Sequence, residues 1–162
     1  MRNLSDKIPG AQNFTYNDFV KSDQAIRKGI PNIPTEEEWK NVETLAFKVL
    51  QPIRNKFGRI RVTSGFRCVK LCIAVGSNKN SNHARGESED IEPIEDGVKM
   101  IDIVKFIALE LDFRELICEF FPQGWIHISY REGQNTKTIK LKDNEHNYEA
   151  VTLDYIIKKY DC

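Results

Sequence analysis

A chain of 162 residues with 24 Lys and Arg against 24 Asp and Glu carries no formal net charge, which excludes the basic footprint expected of a duplex nucleic-acid or anionic-membrane binder. The length suits one domain around one core, and a hydrophobic share of 40% excludes wholesale disorder. No run approaches the ~18 apolar residues that span a bilayer, and positions 1–19 carry polar residues where an export signal has its apolar stretch, so the chain is expected to be made and folded without Sec export.

The first thirty residues are polar with scattered aromatics (Phe14, Tyr16, Phe19) and read as a wrapping arm, 1–30. Pro34-Thr35-Glu36-Glu37-Glu38 then offers a Thr N-cap with Glu three positions later, a capping box. Trp39, Val42, Leu45, Ala46, Val49 and Ile53 recur at three- and four-residue steps, predicting a helix to about residue 55 with Pro52 kinking its last turn. Residues 59–64 alternate charged and β-branched side chains and predict a short strand ending at Gly65; 69–75 suits a short helix. The apolar-free stretch 76–82, apart from Gly76 entirely Ser, Asn and Lys, reads as an exposed loop.

Glu87, Glu89, Asp90, Glu92, Glu95 and Asp96 lack the oxygen-ligand spacing and mid-loop glycine of a calcium loop, and read as a solvated face around one inward Asp90. After Asp96-Gly97, Met100, Ile103, Val104, Ile107, Ala108 and Leu111 mark one face of a second helix. Strands are predicted at 115–120 and 125–130, joined through Pro122-Gln123-Gly124, and at 136–141. Cys68, Cys72, Cys118 and Cys162 stand at no zinc-knuckle or CxxC spacing and are expected to be free, mostly buried thiols. Cys68 and Cys72 fall one helical turn apart, but two thiolates without further partners make a poor metal site.

The three histidines are His83, His127 and His146. His83 leaves the polar loop and is followed seven positions later by Asp90, while strand alternation puts Trp125, His127 and Ser129 on the face opposite Ile126 and Ile128. Two imidazoles and one carboxylate form a ligand set with which a catalytic zinc keeps a fourth position for water, chemistry that serves hydrolysis. A strand histidine is as readily a hydrogen-bonded structural residue, so spacing alone leaves both readings open.

Several motifs in order carry a resemblance. Val62-Thr63-Ser64-Gly65-Phe66-Arg67, then Ala74-Val75-Gly76-Ser77, then Ser81-x-His83-x-x-Gly86-x-Ser88-x-Asp90-Ile91, then Trp125-Ile126-His127-Ile128-Ser129 resemble the peptidase M15 zinc peptidases. These are the D-Ala-D-Ala carboxypeptidase and L-Ala-D-Glu endopeptidase relatives of bacteria and phages. Asn32-Ile33-Pro34 and Val49-Leu50-Gln51-Pro52-Ile53-Arg54 are similar to the leader of the family's phage-type branch. The resemblance runs over roughly residues 13 to 130.

It implies that His83, Asp90 and His127 hold Zn2+, that Arg67 meets the substrate carbonyl or carboxylate, and that Ser81 supports the site by hydrogen bonding. A structural salt bridge from Arg67 to the acidic 87–96 segment is the alternative. Many members of the family place an acid three residues before the last histidine, where Gly124 stands here. In the phage-type branch a Glu on the preceding strand looks equivalent, which makes Glu119 the candidate general base, desolvated by Phe120 and Phe121. Ser88, Glu89 and Cys72 also depart from the family's usual small or Asn residues, and His146 lies beyond the matched motifs.

The expected fold is α+β, with helices packed on a small mainly antiparallel sheet and the zinc site at its edge: a single M15-like domain over 1–162, its C-terminal extension at 131–162. The expected function is zinc-dependent hydrolysis of an amide bond in the peptide stem of peptidoglycan by an endolysin-like, cell-wall-degrading phage or bacterial enzyme. It would bind no nucleic acid, span no membrane, and reach the wall from the cytoplasm of its synthesis or from a virion. The alternative is a non-catalytic zinc-containing virion or cell-wall-binding module, favoured by Gly124 in place of an acid and opposed by the intact ligand set.

Overall fold

The computed structural model describes residues 2–161. Thr35 caps helix α3 (Glu36–Leu45): its hydroxyl accepts the Glu38 N–H at 3.3 Å, and the Glu38 carboxylate accepts the Thr35 N–H at 2.7 Å. The helix continues through a π-helical turn, Ala46–Leu50, into α4 (Gln51–Phe57). The expected disturbance at Pro52 takes the form of this widened turn, in which the Gln51 N–H reaches back to the Ala46 carbonyl. One extra residue per turn eases the proline ring past the carbonyl four residues earlier, with which it would otherwise collide. Trp39, Val42, Leu45, Ala46, Val49 and Ile53 are all buried, as their periodicity requires.

The N-terminal arm is built from a hairpin, β1 (Lys7–Ile8) with β2 (Ala11–Thr15), and two short helices, α1 (Tyr16–Val20) and α2 (Asp23–Lys28). Its aromatics anchor it: Phe14, Tyr16 and Phe19 are buried in the main core. The Tyr16 ring meets Trp39 edge-on at 5.1 Å, and its hydroxyl donates to Glu43 at 2.7 Å.

The main sheet has six strands in the order β3-β4-β6-β5-β7-β8. They are β3 (Ile60–Ser64), β4 (Ser88–Pro93), β5 (Glu115–Glu119), β6 (Trp125–Ser129), β7 (Thr138–Lys142) and β8 (Tyr148–Ala150). All neighbours are antiparallel except β5 and β7. Helix α5 (Val69–Ala74) follows β3, α6 (Met100–Glu110) follows β4, and α7 (Leu153–Tyr160) ends the described chain. Val62, Ile91, Ile126, Cys118 and Leu141 stand on one rung across five strands and pack with α3, α4 and α6 in the main core. That leaves the opposite face of the sheet, the Asp90 and His127 face, for polar side chains.

The acidic 87–96 segment corrects the expectation of a solvated face. It supplies an inner strand, and Glu87, Ser88, Glu89 and Asp90 are all buried. Pairing on both sides overrides its polar composition, and Glu87 is neutralised by Arg131 at 2.8 Å and Arg85 at 3.1 Å. Cys68, Cys72 and Cys118 are free thiols, and Cys162 lies outside the described residues. Among the described residues no helix is long and apolar enough to cross a membrane.

Candidate metal centre

The centre begins with Gly65. A Cβ there would come within 2.3 Å of the Phe19 carbonyl oxygen and 2.6 Å of Glu89 Oε2, so only glycine lets the chain pass between them. The Gly65 carbonyl lies 2.8 Å from His83 Nδ1. A carbonyl only accepts, so Nδ1 carries the proton and Nε2 keeps its lone pair. His83 itself sits on a 3-10 turn, Asn82–Arg85, whose N-cap is Ser81: the Ser81 hydroxyl accepts the His83 N–H at 3.3 Å.

Asp90 and His127 face each other directly across the β4–β6 pairing. Asp90 Oδ1 lies 2.8 Å from His127 Nδ1 and 3.5 Å from His83 Nε2. One ligand atom from each of the three residues falls within 4.8 Å of the others, and all three residues are buried. Burial alone would raise the Asp90 carboxyl, but the two imidazoles outweigh it and hold the group far below the ordinary carboxylate range. Burial lowers His83, whereas for His127 the bond and charge of Asp90 overcome burial and raise it. This donor set fits a divalent metal. Two imidazole nitrogens and an ionised carboxylate converge, one histidine tautomer is fixed by a backbone carbonyl, and a cation between His127 and Asp90 would replace the proton they share.

These residues line a cleft of about 740 Å³ together with Arg67, Ser81, Glu119 and Trp125. Arg67 Nη2 stands 3.4 Å from Asp90 Oδ2, and its buried Nε has no partner among the described residues. The salt-bridge alternative for Arg67 is thus present as one long contact, which leaves guanidinium donors for a ligand. Asn32 brackets the arginine, donating to the Phe66 carbonyl at 2.8 Å and accepting the Cys68 N–H at 2.9 Å.

Glu119 lies on β5 opposite Trp125 of β6, two residues along and on the same face as Ile117, the residue opposite His127. It is buried, and its Oε2 accepts from Lys142 Nζ at 2.7 Å, a cation that the sequence reading did not place there. At Gly124 a Cβ would come within 1.8 Å of the Glu119 carbonyl oxygen. The turn therefore closes the position three residues before His127 to any side chain. Ser88, Glu89 and Cys72 are buried away from the cleft lining, and the Cys72 thiol donates to the Arg67 carbonyl at 3.3 Å.

One wall of the cleft, made by Glu115, Lys140, Lys142, His146 and Tyr148, lies outside the motifs legible in the sequence. Alternation within 138–142 sets Lys140 and Lys142 on one face, yet no local signal says that this strand pairs parallel to β5. The model of the Peptidase M15 family matches residues 12–129, which include His83, Asp90, His127, Arg67 and Glu119. No curated protein matches the chain.

Proposed function

The chain belongs to the peptidase M15 family, and from that premise we propose that it is a zinc-dependent hydrolase of an amide bond in the peptide stem of bacterial peptidoglycan, a phage or bacterial cell-wall-degrading enzyme. The observation that carries this reading is the convergence of His83 Nε2 and His127 Nδ1 on Asp90 in the lining of the cleft. His83, Asp90 and His127 would hold the ion. Zinc so held supplies Lewis acidity toward the scissile carbonyl and acidifies water at its open position.

The chain's own groups do the rest. Glu119 takes the proton of the attacking water and returns it to the leaving amine; Lys142 engages Oε2, so Oε1 is the oxygen that meets the water. Arg67 donates to the oxyanion that develops on the carbonyl; its backbone is anchored by the N–H bond to the His83 carbonyl at 3.2 Å, and its guanidinium is turned to the site by Asp90 at 3.4 Å. Ser81 acts through His83, by capping the turn that carries it.

The site assignment is tested by metal analysis of protein purified without added zinc. One zinc per chain is expected, lost in both His83→Ala and His127→Ala. Full occupancy in both variants contradicts it.

A further inference from the structure

The wall of the cleft contributed by β7 and β8 lies beyond residues 12–129, the segment that matches the family. Asp90, His127, Ile117 and Lys140 are partners on one continuous rung across β4, β6, β5 and β7. Alternation therefore turns Lys140 toward the same face as the metal ligands, two strands or about 10 Å from His127 at the usual interstrand spacing. That is the span of roughly three extended peptide residues.

Three cations line the cleft, Arg67, Lys140 and Lys142, against three carboxylates, Asp90, Glu115 and Glu119. They balance, so a bound divalent metal leaves the cleft positive. Lys142 is committed to Glu119 and sits 5.1 Å from the centroids of both the Phe120 and Tyr148 rings, with its side chain 15% exposed. Lys140 differs. Its side chain is 32% exposed, and among the described residues its ammonium, with three donors, has one carboxylate partner, Glu115.

From this we infer that Lys140 is a specificity-determining residue that receives a carboxylate of the peptide substrate within about three residues of the scissile bond. The inference rests on the proposed peptide-hydrolysing cleft and names what that cleft prefers: an anionic peptide, its charge carried by a side chain or by the C-terminus. Glu115 holds the ammonium in place until the substrate carboxylate shares it.

The test uses a synthetic stem peptide with both carboxylates free, a second amidated at the side chain, and a third amidated at the C-terminus. Binding to the metal-free full chain is followed by calorimetry, and kcat/KM is measured on the zinc-loaded protein. A charge-assisted hydrogen bond predicts that one of the two amidations weakens wild-type binding about tenfold, and which one identifies the source of the carboxylate. Lys140→Gln brings that ratio below about twofold by weakening the acid and not the amide, Lys140→Arg keeps it, and Glu115→Gln, which frees the ammonium, widens it. Circular dichroism checks that each variant is folded.

The inference is overturned by no acid preference in the wild type, by no measurable binding, or by a preference that Lys140→Gln leaves intact. If no peptide is cleaved while the binding ratio behaves as described, the peptidase reading fails and the carboxylate site stands.

Discussion

Asp90 and Glu89 are adjacent carboxylates placed in opposite environments by strand alternation. Asp90 points to the cleft and is held ionised by two imidazoles, whereas Glu89 shares a rung with Ile128 and Leu116 on the core face. Both Glu89 oxygens are buried without a hydrogen-bond partner among the described residues, and burial pushes its carboxyl well up. An unpaired buried polar group costs about 1–3 kcal/mol, so Glu89→Met is expected to stabilise the metal-free protein by that order. The gain should grow with pH. Above the ordinary glutamate range the native state still holds a proton that the unfolded chain has released, so wild-type stability falls as pH rises toward the raised native value, a fall the methionine variant lacks. Urea unfolding of both proteins at pH 5 and pH 8 checks this, and a variant less stable than wild type at pH 8 contradicts it. Asp90 was legible in the sequence through its motif. Glu89 was not, because its cost follows from which face of an unforeseen strand it occupies.

At the scale of elements, the α3–α4 helix was legible because its cap and its apolar stripe are both local. Strand β4 was not, since an acidic strand is made by neighbours distant in sequence. The joint between α1 and the β3–α5 loop belongs to the same class. Asn32 Nδ2 donates to the Val20 carbonyl at 2.9 Å and to the Phe66 carbonyl at 2.8 Å, and its Oδ1 accepts the Cys68 N–H at 2.9 Å. Arg67 lies between the two loop residues so held. Asn32→Ala strands three backbone groups, and is expected to cost about 1–3 kcal/mol and to lower kcat/KM at least about tenfold with zinc content unchanged. Urea unfolding, steady-state kinetics and metal analysis together check this; unchanged kcat/KM in a zinc-replete variant contradicts the bracketing role.

Over the whole molecule, the main core runs from Ile8 to Ile156 and fixes the sheet whose polar face carries the cleft. The ligands on β4 and β6 were readable from motifs, while the β7–β8 wall depends on a parallel pairing that sequence alone does not announce. The wall also leaves the proposed base in contact with Lys142 rather than with solvent alone. Whether this cleft breaks amide bonds with Glu119 as its proton carrier is read most directly from the release of new amino groups from intact peptidoglycan. Wild-type protein should release them, a chelator should stop the release and zinc restore it, and Glu119→Gln should retain zinc while slowing release by roughly 10²–10⁴. Zinc-replete wild-type protein that releases none would contradict the account and leave a wall-binding module, and a fully active Glu119→Gln would assign the proton transfer to another group.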